Sequence, residues 1–442
     1  MRKPPSAREL DVVLYGATGF TGRLVASYLA RRGGARVGLA GRSLSNLRQL
    51  ANDTGWDAPL IECASDDVAG LSELAARTRV VLSTAGPYSV CGTPLVAACA
   101  AQGTDYLDIN GEVPWVRDVI QRFDESNATQ GTVFVPNCGY TVLSDVGTYH
   151  AASLLRSRLG QPATSVRSLM QFNGRLSGGT MATGILLDSA DERVQACRRD
   201  PFALGGAPLT GTRPEDADPI SAEYDEDLGC WTAPFWMADI DSRVVRRSSA
   251  LFGEAGGDGL YSPSFVYRER ALAADESVAR NLASPTPDVE RRVKMVQRGK
   301  LPSPGHGPSL EVREKSWFRL FFYAQAESGA VLTCVEGGDP GYEETSKMVA
   351  EAAVLLATRR EDLPASRLQR TLPGGASGCG GVLTPAFAFG DTLVHALSER
   401  GLHFRELALV GSSTAADAQL LDVEAAAQLL RSLAAQPRRS PN

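Results

Sequence analysis

Val12-Val13-Leu14-Tyr15-Gly16-Ala17-Thr18-Gly19-Phe20-Thr21-Gly22 decides the fold. Four apolar residues in succession make a strand buried on both faces, as in a parallel sheet. Three glycines at spacing three follow, and then Leu24, Val25, Tyr28 and Leu29 recur at helical spacing. The order is strand, glycine turn, helix. A turn free of Cβ atoms lets backbone N–H groups approach a pyrophosphate, and the helix N-terminus adds about half a positive charge. Residues 16–22 therefore predict a dinucleotide-binding turn, because further strand–helix units follow it.

Strands are predicted over 36–40, 59–63, 80–83, 105–109 and 132–135, with helices over 45–52, 68–77, 94–102 and 114–127 between them. Repeated strand–helix units imply an α/β fold, a doubly wound parallel Rossmann sheet with right-handed crossovers. Ligands on such sheets lie beyond the carboxyl ends of the strands, so those loops carry the chemistry. After the second strand stand Arg42 and Ser43, twenty residues past Gly22. NAD-preferring turns place an acid there for the ribose hydroxyl. An arginine suits a 2′-phosphate instead, and the expected cofactor is NADP(H). Asp66 follows the third strand and could flank the adenine. Ala85, Gly86 and Pro87 follow the fourth and allow a cofactor close to the backbone. Tyr88 then faces either the nicotinamide or the core. Asn110 and Glu112 follow the fifth, Asn110 as a substrate contact, Glu112 as a catalytic acid or as first-turn helix charge.

From about Cys138 the rhythm changes. A helix runs from Ser144 through Leu155, and a strand is expected over 166–173. The Ser177-Gly178-Gly179-Thr180 turn enters a helix and reads as a second anion cradle or a plain helix start. Residues 200–227 read as a surface loop. Arg243, Arg246 and Arg247 cluster beside an aromatic stretch and either grip a carboxylate or face solvent. Phe235, Trp236, Phe252 and Phe265 could line an apolar channel. Strands over 316–326 and 331–336, joined by Glu327-Ser328-Gly329, suit a hairpin. Helices are expected over 342–358, 385–398 and 419–435, the second after a glycine-rich stretch at 374–381.

The chain has 442 residues, enough for two or three domains, a net charge of −6, 43% apolar and 22% charged residues. That balance gives no reason to expect nucleic acid or an anionic membrane. No apolar run is long enough to span a bilayer, and residues 1–5 have no signal-peptide core. Residues 1–9 and 436–442 read as frayed ends. Eight scattered cysteines without a C-x-x-C pair suit reduced thiols in a cytoplasmic protein. Four histidines show no metal-ligand spacing, and no metal is expected. The Tyr-x-x-x-Lys pair of short-chain reductases is absent. Hydride chemistry would rest on cofactor placement plus a tyrosine, hydroxyl, acid or water.

Together Gly16-Ala17-Thr18-Gly19-Phe20-Thr21-Gly22, Ala40-Gly41-Arg42-Ser43, Gly86-Pro87-Tyr88, Gly103-Thr104-Asp105-Tyr106-Leu107-Asp108 with Gly111-Glu112, and Ser177-Gly178-Gly179-Thr180 resemble saccharopine dehydrogenase-like oxidoreductases. Val244-Val245-Arg246-Arg247-Ser248-Ser249-Ala250-Leu251 and Gly381-Val382-Leu383-Thr384-Pro385-Ala386 resemble the trans-acting enoyl reductases that serve polyketide synthases. Where those carry Cys-Gly-Phe-Asp-Ser-Ile-Pro-Ser-Asp, this chain has Cys138-Gly139-Tyr140-Thr141-Val142-Leu143-Ser144-Asp145, one residue shorter. The resemblance implies an NADP-binding Rossmann domain over 1–138, a mixed-sheet substrate and dimerisation domain over 139–340, and C-terminal helices over 341–442 packing on the first lobe. It implies reduction of an activated C=C bond in an acyl or polyketide thioester held by a carrier protein or synthase. Tyr88, Tyr140 or water would give the proton. Asn110, Ser177, Thr180, Arg243 and Arg246 would hold the substrate. The rivals are a saccharopine-type imine reductase, which would need Arg243 or Arg246 for carboxylates, and an NADPH-binding regulator without turnover.

Overall fold

The computed structural model describes residues 7–208, 211–256, 259–372, 375–411 and 422–435. Of the ends expected to fray, 1–6 and 436–442 lie outside the described residues, as do Gly374 of the glycine-rich stretch and 419–421 of the last expected helix; Arg8, expected to fray with them, is instead buried and donates to the Thr78 carbonyl at 2.5 Å and the Thr104 hydroxyl at 2.6 Å.

Six strands run through the first lobe: β1 Leu10–Tyr15, β2 Val37–Gly41, β3 Leu60–Glu62, β4 Thr78–Ser83, β5 Asp105–Asp108 and β6 Val133–Val135. Every residue of β1 is buried, as a strand covered by helices on both faces must be. The sheet order is β3-β2-β1-β4-β5-β6, all parallel, so the topological switch lies between β1 and β4. The glycine turn follows β1 at that switch.

The second sheet is mixed. Its strands are β7 Ala163–Asn173, β8 Glu223–Asp225, β9 Cys230–Ala233, β10 Tyr261–Ala273, β11 Trp317–Ala326 and β12 Gly329–Gly337. A small ladder, β13 Arg370–Thr371 with β14 Ser377–Gly378, precedes β15 Gly381–Val382 and β16 His403–Gly411. The order is β16-β12-β11-β7-β10-β9-β8, and β7 with β10 forms its parallel pair. The hairpin between β11 and β12 forms as expected, with the turn at Glu327-Ser328 and Gly329 already opposite Ala326. A Cβ on Gly329 would stand 2.4 Å from the Val410 carbonyl oxygen, so glycine lets β16 close on this edge. The 200–227 segment, expected as a surface loop, contributes edge strand β8 and buries Asp216.

Besides the short strands β8, β9, β13 and β14, the sequence reading does not find β10, β15 and β16. β10 is long but carries Arg268, Glu269 and Arg270, which hide its β pattern. β15 has two residues and joins the first sheet beside β6. β16 joins the second sheet beside β12. The 341–442 segment thus divides its contacts. Helix Glu343–Thr358 packs on β1, β4 and helix Phe20–Arg32, whereas helix Val423–Ala435 covers the β16 side of the second sheet.

The helix Val142–Leu159 joins the lobes and is buried through its first half. A Cβ on its Gly147 would stand 2.3 Å from the Phe322 ring, so this helix sits directly on β11. The carboxyl end of β7, the start of β11 and the loop after β9 gather at one end of the second sheet. That end meets the carboxyl edge of the first sheet. Phe20 touches Tyr342 with ring centroids 5.1 Å apart, and Ile240 stands 3.1 Å from the Cβ position of Gly111. No helix among the described residues is long and apolar enough to cross a membrane.

Candidate cofactor and active site

Gly16 has φ of +80°, and a Cβ there would stand 2.8 Å from the Ala85 nitrogen. A Cβ on Gly22 would stand 2.2 Å from the Gly16 carbonyl oxygen. The two glycines let the turn, the helix and the loop after β4 lie in van der Waals contact. Thr84 locks that contact, donating its N–H to the Tyr15 carbonyl at 2.9 Å and its hydroxyl to the Gly16 carbonyl at 3.1 Å. Gly19 is the N-cap of helix Phe20–Arg32, with no side-chain cap and no acid in the first turn. The first N–H groups, on Phe20, Thr21 and Gly22, have no acceptor within the helix. Ala17 is buried and Thr18 half-buried beside them. An uncapped helix start behind a turn with glycines at 16 and 19 fits a pyrophosphate.

At the end of β2, Arg42 is exposed and bonds to no acid among the described residues. Ser43 caps helix Leu44–Thr54, its hydroxyl oxygen accepting from the Asn46 N–H at 3.3 Å. The structure adds a group that sequence reading missed. Glu62, at the end of β3, accepts the Leu44 N–H at 3.0 Å and places a carboxylate beside Arg42 and Ser43. The register of β2 against β3 would have shown this, since Glu62 pairs with Gly41. Asp66 is exposed past β3, one residue before the cap Asp67. Ala85, Gly86 and Pro87 form the loop that touches Gly16, with a cis bond between Gly86 and Pro87.

Tyr88 and Glu112 are not free for catalysis. The Tyr88 hydroxyl donates to the Ser83 carbonyl at 3.0 Å, inside the core. The Glu112 carboxylate accepts two backbone N–H groups, Tyr88 at 2.6 Å and Ser89 at 2.9 Å. Asn110 accepts the Glu112 N–H at 2.9 Å and donates to Asp108 at 2.7 Å. Burial raises Asp108 to about 6. All four are buried supports that shape the loops after β4 and β5, Asn110 included.

Tyr140 is different. It follows β6, and its hydroxyl is buried with no hydrogen-bond partner among the described residues. Its ring packs against Phe235 at 6.3 Å and Trp236 at 6.5 Å, and Phe172 closes on Phe235 at 5.9 Å. Trp236 is 47% exposed, and Phe172 and Leu176 are 38% exposed. Phe252 and Phe265 do not join this group. They pack in the core with Tyr149, Tyr261 and Phe387.

Ser177 caps helix Gly178–Asp188, and its own N–H donates to the Tyr342 hydroxyl. Thr180 lies 3.2 Å from that hydroxyl. The expected cradle is therefore drawn to the start of helix Glu343–Thr358 and, through Tyr342, to Phe20 of the glycine turn. Arg243 and Arg246 offer no open grip. Arg243 is wholly buried, pairs with Asp218 through both terminal nitrogens, and donates to the Arg198 and Asp200 carbonyls. Arg246 donates to the carbonyls of Pro201, Asp216 and Tyr267, and Arg247 to those of Leu204 and Val382. The cluster ties the loop before β8 to the helix Ala238–Glu254. Neither a carboxylate grip nor a solvated face describes it.

Comparison with known proteins adds the following. The saccharopine dehydrogenase NADP binding domain family matches residues 12–135. A protein of Mycobacterium tuberculosis (strain H37Rv), provisionally named a trans-acting enoyl reductase, is 35% identical over 428 residues, 89% of this chain and 97% of its own. A trans-acting enoyl reductase of Mycobacterium bovis (strain BCG / Pasteur) is 32% identical over 426 residues, 90% of this chain and 98% of its own. Among solved structures, apo saccharopine dehydrogenase (L-Glu forming) from Saccharomyces cerevisiae covers 90% of this chain and 99% of its own, at 13% identity and a TM-score of 0.47.

Proposed function

Because this chain belongs to the saccharopine dehydrogenase-like oxidoreductases, among the trans-acting enoyl reductases, and is an NADP-dependent oxidoreductase, we propose that it reduces an α,β-unsaturated acyl thioester presented by a carrier protein or polyketide synthase. One observation carries the choice of substrate. The group of rings beside Tyr140 is apolar and partly exposed, while both arginines that could have held substrate carboxylates are committed inside the protein. An amino-acid-derived imine would bring carboxylates that neither Arg243 nor Arg246 is free to hold. An acyl chain would find Phe172, Phe235, Trp236 and the apolar helix Gly178–Asp188.

Gly16, Gly19 and Gly22 hold the pyrophosphate, and Arg42 with Ser43 holds the 2′-phosphate. NADPH, when bound, supplies hydride to the β-carbon. Tyr140 then protonates the α-carbon as general acid. Burial and the nearby Asp241 and Glu269 push the Tyr140 hydroxyl well above its usual range, so it stays protonated until negative charge develops on the substrate. The family pattern has phenylalanine at this place, so the hydroxyl belongs to this chain's own loop. The test is NADPH oxidation with pantetheine-linked enoyl thioesters in one set and amine–carbonyl pairs in another. Turnover with the thioesters alone is expected. Turnover confined to the amine–carbonyl pairs would replace this reading with imine reduction, and tight NADPH binding without oxidation of any kind would replace it with a regulator.

A further inference from the structure

Helix Gly178–Asp188, part of the proposed acyl wall, is held at both ends by the chain between 288 and 309. At its start the Gly178 N–H donates to the His306 carbonyl at 2.9 Å, and a Cβ on Gly178 would stand 1.8 Å from the Ser303 carbonyl oxygen. At its far end Asp188 pairs with Arg292 of helix Val289–Gln297. That second helix lies against the first, with the Arg292 guanidinium 3.8 Å from the Cβ position of Gly184. Arg292 is buried and Val289, Val293, Met295 and Val296 are half-buried, so the opposite face points to solvent. On that face stand Arg291, Lys294 and Arg298 at helical spacing, and Lys300 follows; all four are exposed. The acids here are already engaged. Asp188 is the only acid of its helix, and it also takes Arg198 at 2.7 Å. Glu290 pairs with Lys294, and Asp288 accepts the Arg291 N–H at 2.8 Å. Arg291, Arg298 and Lys300 meet no acid among the described residues, nor does Arg175, exposed beside Leu176 at the helix entry. Residues 288–300 thus carry five basic side chains against two acids, on a chain of net charge −6.

This basic stripe borders the apolar wall. Leu176 and Leu186 are 38% and 36% exposed at the two ends of helix Gly178–Asp188, and Phe172 precedes them near the end of β7. The helix start reaches the cofactor turn, since the Ser177 N–H donates to Tyr342, whose ring meets Phe20. The eleven residues of the helix span about 16 Å. A thioester arm laid along it from Leu186 toward the glycine turn leaves its carrier against the stripe. Resting on the reading of the substrate as a carrier-borne enoyl thioester, we infer that the exposed face of helix Val289–Gln297, continued by Arg298 and Lys300, is the docking face for an acidic carrier domain. Charge of this kind steers an acidic partner and sets its orientation more than it adds affinity. The occupant is a small protein domain and not a lipid surface. A bilayer is flat and would meet the rest of an acidic chain along with the stripe, and the exposed face of this helix offers no large apolar side chain to enter it. A small acidic domain touches the stripe alone.

The probe is a strongly acidic bacterial acyl carrier protein charged through its pantetheine arm with a crotonyl group; crotonyl-pantetheine is the arm without the domain. Full-length protein is compared with the triple variant Arg291→Glu, Arg298→Glu, Lys300→Glu, both with NADPH. For the carrier-borne thioester, kcat/KM should fall by about 10- to 100-fold in the variant at low ionic strength, and for crotonyl-pantetheine it should not change. Raising the salt from about 0.05 to about 0.5 M should slow the carrier reaction of the wild type and leave the variant nearly unaffected. Equal losses with both thioesters, or no loss with either, would overturn the docking face. Should the charge reversal fail to fold, Arg291→Gln, Arg298→Gln, Lys300→Gln takes its place. Binding of the fluorescently labelled carrier, followed by anisotropy, reads docking without turnover. If no thioester is reduced while binding is salt-sensitive and lost in the variant, the substrate reading falls and the docking face stands. If thioesters are reduced while the variant binds and reduces the carrier-borne one like the wild type, the face falls and the substrate reading stands. Because the contact works by charge, a carrier that does not bind at low salt also removes the face. Sedimentation with phosphatidylglycerol vesicles gives the remaining arm: vesicle binding lost in the variant, with carrier turnover intact, would replace the carrier domain by a lipid surface.

Discussion

Arg42 and Glu62 set opposite charges at the neighbouring ends of β2 and β3, where the proposed 2′-phosphate would lie. Arg42 follows β2 and is exposed, and Glu62 follows β3 and caps the Leu44 N–H. A charge-assisted contact to a phosphate is worth about 1.5–3 kcal/mol. Arg42→Asp should therefore reduce NADPH preference over NADH by roughly 10- to 100-fold, and Glu62→Gln should raise NADPH affinity, both read by cofactor titration. Retention of the wild-type preference in Arg42→Asp would remove Arg42 from the 2′-phosphate site. Arg243 carries a different risk. It is fully buried and forks onto Asp218, so Arg243→Met strands that acid beside a dry helix. A loss of about 3 kcal/mol is expected by denaturant unfolding, with NADPH affinity of the remaining folded protein unchanged. A change in affinity at unchanged stability would mean that Arg243 touches a ligand after all. The close approach that needs glycine at 16 and 22 is legible in the sequence because strand, turn and helix are adjacent in the chain. Tyr88 and Glu112 were legible as polar residues at the right edge, but whether their oxygens faced a ligand depended on partners 24 residues apart along the chain.

At the scale of elements, the loop after β9 and the end of β7 build the apolar wall. Phe172 and Trp236 come together there because β7 and β10 run parallel and β9 returns beside β10. Burial of one such ring is worth about 1.5–3 kcal/mol. Trp236→Ala should raise KM for long-chain enoyl thioesters by about tenfold and leave KM for crotonyl-length substrates nearly unchanged. Equal effects on both lengths would place Trp236 away from the acyl chain. Phe252 and Phe265 illustrate the limit of reading aromatics in a line of sequence. Their rings meet Phe387, Tyr149 and Tyr261 instead, because Phe252 closes the far end of the helix that Asp241 opens. β10 escaped notice for a related reason. A strand at the heart of a mixed sheet can carry arginines and acids if the sheet supplies partners, and Arg270 finds the Thr232 hydroxyl at 2.6 Å.

For the whole molecule, buried acids set the response to pH. Burial raises Asp145 and Glu269 to about 7, and Asp108 and Asp339 to about 6, against ordinary values of 3.8 for Asp and 4.5 for Glu. In that window the folded state binds more protons than the unfolded state, so stability falls as pH rises from about 4 to about 7 and levels off above. The acids held low by arginines, Asp11, Asp188 and Asp216, gain their stability below that window. His150, lowered by burial, works the other way as one group against four. Tm at pH 5 should therefore exceed Tm at pH 7.5 at fixed ionic strength. A Tm that rises steadily over this range would show that the buried acids ionise on folding.

The glycine turn, the six parallel strands of the first sheet and the hairpin of the second were all legible in the residues themselves. Each of these rests on periodicity or turn chemistry within a few tens of residues, where local physics acts without help from distant chain. The folded chain alone shows that β15 and β16 return to different sheets, that Arg243 and Arg246 are internal braces, and that Asp241 and Glu269 meet at the Ser144 hydroxyl. Those outcomes depend on burial and on partners from 21 to more than 200 residues apart, and the charge of a side chain says nothing of its partner until the fold has chosen one.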